Sequence, residues 1–287
     1  GGDVGPSTTN TEAYNGNSWT ELNEMNTARY SAADHGIGTQ TAALAVGGSG
    51  PTGVTEVWNG STWTETTDLN TARTGIIAAG TNTAALAYGG YTGTALTGAT
   101  EYWDGSSWTE LNDLAISRSR ISGLGTTTAA LAAGAWPDTN NTATEEFTAP
   151  AIFSQENEGQ VYFNTTSNAL KFTKYSMPAG TWASGGSLNT ARSSMTGVGT
   201  QTATLAPSGQ DTSTSLTPAT EEYNGTAWSE VNDIPTTLKY QGAGGIQTAG
   251  WNAAGISAWN GATFNPAIFL YDGTNWTSGP SVNTNRY

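Results

Sequence analysis

The chain is 287 residues long, carries 23 acidic against 9 basic side chains for a formal net charge of −14, and contains no cysteine. That charge repels a phosphate backbone and excludes a nucleic-acid footprint, while the lack of thiols excludes disulfides, thiolate catalysis and sulfur-held zinc. Charged residues make up 11% of the chain against roughly 25% in an average globular protein, and Gly, Thr, Ala, Asn and Ser take their place, the balance of a turn-rich all-β protein.

No helix-length apolar periodicity appears, and no apolar run approaches the roughly 20 residues of a membrane span. In chain order, Gly1 and Gly2 read as the close of a strand, and "TEAYNGNSWTELNEMNTAR" from Thr11 supplies two short strands around an Asn-Gly turn. A small-residue strand "TAALAVGG" follows from Thr41, and then the first phrase returns as "TEVWNGSTWTETTDLNTAR" from Thr55. The order repeats with "TGIIAAG" from Thr74, "TAALAYGG" from Thr83 and a third phrase from Thr100. It repeats again with "RISGLG" from Arg120 and "TAALAAGA" from Thr128, and a further phrase stands at Thr220.

Anchoring on the Trp after each turn gives Trp19, Trp63, Trp108, Trp182, Trp228 and Trp276, at spacings of 44, 45, 74, 46 and 48. A period of about 45 residues with strand-like content selects the β-propeller, whose blades carry four strands each. Strand a is the Gly-rich innermost stretch, b the Ala-rich one ending in glycines, c the "TEVW" segment, and d begins at the Trp. The sequence therefore predicts an all-β, six-bladed propeller with four-stranded antiparallel blades, spanning residues 1–287 as a single unit. The count leaves one blade short of an a–b pair, so the expectation is that strands beyond one or both ends complete it.

The double glycine ending strand b, the aromatic ahead of the turn and the Trp about six residues later resemble a kelch-type motif. The resemblance implies the propeller fold and leaves function open, since kelch-like propellers include enzymes and binding modules.

The repeats also position charges. Arg29, Arg73, Arg118, Arg192 and Arg286 each stand ten residues after their Trp, and Glu12, Glu56, Glu101 and Glu221 each stand seven before theirs; Glu145 holds the same place before Phe147. Grouped by blade, the pairs are Arg29 with Glu56, Arg73 with Glu101, Arg118 with Glu145 and Arg192 with Glu221, and circular closure leaves Arg286 for Glu12. The fifth blade loses both charges together, with Leu238 and Phe269 in the two slots. Joint loss is what a contacting pair predicts, because removing one partner alone strands a charge. These pairs, like the repeat Trp, read as scaffold, since chemistry does not need one acid–base pair in every blade.

Two departures from the repeat are where function is expected. The long spacing places an insert, residues 149–177, between strands c and d of the fourth unit, and its alternating "QVYFN" and "ALKFT" around "TTSN" predict a β-hairpin. Its "EGQVYFNTTSNALK" resembles a segment of tail-fibre and other structural proteins of marine bacteriophages, where it accompanies kelch-like repeats of this style. The second departure is the loop after strand b, which varies from blade to blade and carries Tyr91, Trp136, Trp259 and Phe264. Antiparallel order puts these loops on the face opposite the insert, and exposed loop aromatics stack on sugars or protein partners; packing over the blade edges is the plainer alternative for them.

Signals for catalysis are sparse. His35 is the only histidine, so a copper site or a Ser-His-Asp triad has almost no raw material. "WDGSSWT" from Trp103 resembles the Asp-box turn of sialidases, a structural element. Asp34, Asp138, Asp211, Glu156 and Glu158 lie outside the repeat, but no spacing selects two of them as a glycosidase pair. No cofactor or metal is expected. The expected function is a non-enzymatic binding or structural module of a virion or similar extracellular assembly. Its expected partners are other virion proteins or a host-surface glycan or protein, without membrane insertion and with homo-oligomerisation left open. The alternatives are a bacterial surface or intracellular interaction adaptor and, third, a glycan-active enzyme.

Overall fold

The computed structural model describes residues 7–15, 18–30, 37–48, 50–136, 142–149, 161–164, 169–172, 180–211, 213, 215–257 and 264–281, and every regular element among them is a strand. The chain opens with β1 (Glu12–Tyr14) paired to β2 (Trp19–Glu21). The first blade follows as β3 (Ile37–Thr39), β4 (Ala42–Val46), β5 (Thr55–Trp58) and β6 (Trp63–Glu65). The second is β7 (Ile77–Thr81), β8 (Ala84–Tyr88), β9 (Thr100–Trp103) and β10 (Trp108–Glu110). The third comprises β11 (Ser122–Gly125), β12 (Ala129–Ala133), β13 (Thr144–Thr148) and β16 (Thr181–Ser184). Between its last two strands the insert contributes an antiparallel pair, β14 (Val161–Asn164) with β15 (Ala169–Phe172); the remainder of the insert lies outside the described residues. The fourth blade is β18 (Val198–Thr200), β19 (Ala203–Pro207), β21 (Thr220–Tyr223) and β22 (Trp228–Val231), flanked by the short ladder β17 (Arg192–Ser193) with β20 (Gln210–Asp211). The fifth is β23 (Gly242–Ile246), β24 (Ala249–Ala253), β25 (Ile268–Tyr271) and β26 (Trp276–Gly279).

Each blade is an antiparallel sheet in a-b-c-d order. The a strands of successive blades are neighbours, β3 beside β7, β7 beside β11, β11 beside β18 and β18 beside β23, so they form the inner wall of a β-propeller. The blade count differs from the sequence expectation of six: five four-stranded blades are present among the described residues. Beside the five blades stands a separate two-stranded sheet, β1–β2. Gln40 Nε2 of the first blade donates to Tyr14 O at 2.9 Å, and Trp19 packs on Ala253, Ala254 and Ile268 of the fifth, so this pair sits between first and last blades.

The core lies between blades. Successive residues of a strand point to opposite sides, and strand b is covered on both: Leu86 packs toward Ile121 and Ala130 of the third blade, while Ala85 and Ala87 pack toward Ile37, Leu44 and Val46 of the first. An apolar run of small residues is the sequence consequence, and it is why "TAALA" recurs. Where the fifth blade faces the two-stranded sheet this covering is incomplete. Leu205 of the fourth blade packs on Ala243 and Tyr271, but Trp251 in the same register of the fifth blade is 40% exposed, beside Leu270 and Ile246.

Every part of the repeated phrase has a structural task. The Thr opening strand c accepts the indole N–H of the next blade's Trp: Trp63 to Thr11, Trp108 to Thr55, Trp182 to Thr100 and Trp228 to Thr144, at 3.0 to 3.2 Å. The aromatic ending strand c meets the Trp beginning strand d, as in Trp58 with Trp63 at 5.4 Å between ring centroids and Tyr223 with Trp228 at 5.0 Å. Between them Asn59 Oδ1 accepts from the Ser61 and Thr62 amides, both at 2.9 Å, and Gly60 takes a φ of 93° that a side chain would disfavour.

Candidate functional site

The linker "NTAR" is a carboxylate cradle. Glu101 Oε2 accepts from the Asn70 amide at 2.7 Å and its Nδ2 at 2.9 Å, and Oε1 accepts from the Thr71 amide at 3.2 Å and Arg73 Nη2 at 2.9 Å. The structure brings together Arg29 with Glu56, Arg118 with Glu145 at 2.8 Å and Arg192 with Glu221 at 2.9 Å, all inaccessible to solvent. Burial pulls the Arg73, Arg118 and Arg192 guanidinium groups below their ordinary pKa, opposed by the paired glutamates. In the fifth blade Leu238 and Phe269 join one buried apolar cluster with Ile234. Arg286, proposed for Glu12, lies outside the described residues. These pairs are buried inside the scaffold, where Nε of Arg73, Arg118 and Arg192 is left without a hydrogen-bond partner.

The variable-loop aromatics are held differently. The residue after the repeat Arg bridges the first residue of the b–c loop, pairing Thr74 with Tyr91, Ser119 with Trp136 and Lys239 with Ile256. Tyr91 and Trp136 thus occupy one slot in successive blades, next to the inner wall. Tyr91 turns its hydroxyl into its own loop, donating to Gly93 O at 2.8 Å, and is half-buried; Phe264 bridges Ile256 within its own loop and is half-buried too. Trp136 is 38% exposed. Trp259, His35, Asp34, Asp138, Glu156 and Glu158 lie outside the described residues, and Asp211 caps its own loop by accepting from the Ser213 and Ser215 amides. Of the four candidate aromatics, Tyr91, Trp136 and Phe264 are described, each within a b–c loop.

What the structure adds is a group of cations and rings beside the a strands, at the b–c loop end of the blades. Two residues past the repeat Arg the chain takes left-handed φ in four blades, at Gly75 (59°), Arg120 (50°), Ser194 (53°) and Tyr240 (56°). Their backbones form a belt: the Arg120 amide donates to Gly75 O at 3.0 Å, Ser194 to Arg120 O at 3.1 Å and Tyr240 to Ser194 O at 3.2 Å. Arg120 sits where Gly75 stands one blade earlier, and reaches past the fourth blade to donate Nη1 to the Tyr240 hydroxyl at 2.8 Å. Its guanidinium lies 4.7 Å from the centre of the Trp136 ring and 5.5 Å from that of Tyr240. Lys239 Nζ lies 5.3 Å from the Tyr240 ring and 3.5 Å from Gln210 Oε1, and burial together with the Arg120 charge lowers its pKa.

No protein-family model and no curated protein matches this sequence.

Sequence reasoning passed over Arg120, Lys239 and Tyr240, although a signal was there. Of six arginines five hold the repeat slot, and of three lysines Lys171 and Lys174 belong to the insert, so Arg120 and Lys239 are the cations left over. Among the described residues no group of three His, Asp or Glu side chains gathers as a metal set.

Proposed function

We propose that this chain is a kelch-like propeller, with β1 and β2 the c and d strands of its sixth blade, acting as a non-enzymatic binding module of a virion or similar extracellular assembly. In this reading the b–c loop face meets a host surface, and the insert between β13 and β16 docks the module to its assembly from the opposite face. The observation that supports the reading is the separation of the two departures from the repeat, with the Arg120–Trp136–Tyr240 group at the b–c end of the blades and the insert leaving from the c–d end, where Thr148 pairs with Thr181. Loops on a rigid scaffold are where binding residues concentrate. The test is a glycan and whole-cell binding screen with the protein and a variant carrying Tyr91, Trp136, Trp259 and Phe264 all changed to Ala. Binding that disappears in the folded variant supports the reading. An intact protein that binds no surface overturns receptor recognition and leaves the bridging of structural subunits.

A further inference from the structure

The turn between strands c and d opens on Asn59 in the first blade, Asp104 in the second, Asn224 in the fourth and Asp272 in the fifth, and each is followed by a glycine with φ between 88° and 93°. All four side chains fold back over the turn. Asn59 Oδ1 accepts from the Ser61 and Thr62 amides, both at 2.9 Å, and Asn224 Oδ1 from those of Thr226 and Ala227, both at 3.0 Å. Asp104 Oδ1 accepts from Ser106 and Ser107, both at 2.8 Å, and Asp272 Oδ1 from Thr274 at 2.9 Å and Asn275 at 2.7 Å. Amide and carboxylate are interchangeable here, and the last residue of the turn shows how. Asn59 Nδ2 donates to Thr62 Oγ1 at 3.2 Å, whereas Ser107 Oγ, in the same place, donates to Asp104 Oδ2 at 3.2 Å. A hydroxyl that rotates serves either group. The Asn275 and Thr274 amides also hold the Asp272 carboxyl below its ordinary pKa, so the turn favours the charged form of the acid.

We propose that Asn59 and Asn224 are sites of self-modification, each converted through a cyclic imide to the acidic residue that the second and fifth blades already carry. Both asparagines are exposed, and the glycine that follows has no side chain to shield its nitrogen. Neither the Gly60 nor the Gly225 amide donates a described backbone hydrogen bond. In the first step the Gly60 nitrogen gives its proton to water and attacks Asn59 Cγ. The negative charge of the tetrahedral intermediate falls on Oδ1, where the Ser61 and Thr62 N–H groups receive it as the donors of an oxyanion hole do. The Cγ–Nδ2 bond then breaks, the nitrogen takes a proton back from water and leaves as ammonia, and a second water opens the imide at either carbonyl to give Asp or its β-linked isomer. Water is the only co-reactant. Both turns lie at the c–d end of their blades, the end from which the insert leaves the third, so each event adds one negative charge to that end of a chain already at −14.

The test incubates the full chain in mildly alkaline buffer and follows each asparagine by peptide mass mapping, with the two acid isomers separated and the released ammonia assayed. Asn59 and Asn224 should convert roughly tenfold faster than Asn23 and Asn232, which are exposed as well but precede Glu24 and Asp233. The rate should rise with pH, as hydroxide takes the glycine proton more readily. Asn59→Gln should remove conversion at that site, because its longer side chain must close a larger and less favourable ring, and should leave Asn224 unaffected. Asn59→Asp, the product itself, should unfold at the same thermal midpoint as the parent and elute with the aged protein on anion exchange. Conversion of Asn59 and Asn224 no faster than that of Asn23 and Asn232 overturns the proposal. So does a lowered midpoint of Asn59→Asp, which would mean that the turn does not accept the acid in the first blade as it does in the second. Charge gained without ammonia released overturns it too, since the acid would then come from another reaction.

Discussion

Replacing Arg73 by Leu and Glu101 by Phe, singly and together, transplants the fifth blade's solution into the second and measures what the repeated ion pair contributes. Both side chains are fully buried, with Nη2 and Oε1 2.9 Å apart. Arg73→Leu leaves Glu101 charged in the interior with its three linker hydrogen bonds, and an uncompensated buried charge costs about 3–5 kcal/mol. Glu101→Phe strands the Arg73 charge and also orphans the Asn70 and Thr71 amides, at about 1–3 kcal/mol for each buried donor, so it is the more severe of the two. The double variant keeps the orphaned amides but buries no charge. Its cost should fall below the sum of the single costs by at least about 2 kcal/mol. Any overpacking by the larger Phe ring enters both Phe variants and cancels in the cycle. Urea unfolding of the four proteins, followed by tryptophan fluorescence, gives the coupling energy. A coupling within about 0.5 kcal/mol of zero refutes the claim that the two charges are held as a unit.

Two further predictions concern single side chains. Asn252 is fully buried in β24 with no hydrogen-bond partner on either amide atom, where the other four blades have Ala45, Ala87, Ala132 and Ala206; Asn252→Ala should therefore stabilise the protein by about 1–3 kcal/mol in urea unfolding, and a loss of stability would mean that the amide is bonded. Burial and the hydrogen bond from Tyr223 to Glu146, 2.5 Å long, push the Tyr223 hydroxyl up to about 12, and burial and the Glu222 charge do the same for Tyr271. A raised folded-state pKa means that this contribution is whole below the unfolded value near 10 and is lost as pH rises through 12. Tyrosinate absorbance should show a late phase near pH 12 that shrinks in Tyr223→Phe, and an unchanged late phase would sink the assignment.

The fold was legible because repetition removes ambiguity. One "TEVW" segment is a weak strand signal, but its recurrence with a Trp, a turn and an Arg at fixed offsets lets each copy interpret the others. The Arg–Glu pairing was readable because Leu238 and Phe269 vary together, the signature of contact within a single chain. The five complete blades were readable in the same way, whereas the sixth expected from the leftover c and d strands was not, since sequence offsets place strands in order but do not show which of them lie side by side. The group around Arg120 escaped for a related reason. Arg120 and Tyr240 are 120 residues apart, and they meet because the inner ends of the blades converge on one axis. Periodicity describes what is common to the blades, and that contact depends on what differs between them. The order of the strands puts Tyr91 and Trp136 on b–c loops, but whether Tyr91 points outward or bonds back to Gly93 is decided by loop backbone that no pattern specifies.

Salt should act on this protein through its surface charge and leave the repeat pairs in place. The repeat pairs are buried, and mobile ions screen buried pairs little, whereas charges at the surface separated by more than about 10 Å are largely screened at 0.1 M. The remaining surface charge is overwhelmingly negative, so its net effect on the folded state is self-repulsion, which salt relieves. Raising sodium chloride from low concentration toward about 0.5 M should therefore raise the thermal midpoint, and the same rise should appear with a larger monovalent cation if screening is the cause. A thermal midpoint that falls with salt would place the stabilising charge pairs at the surface, which contradicts the burial of all four.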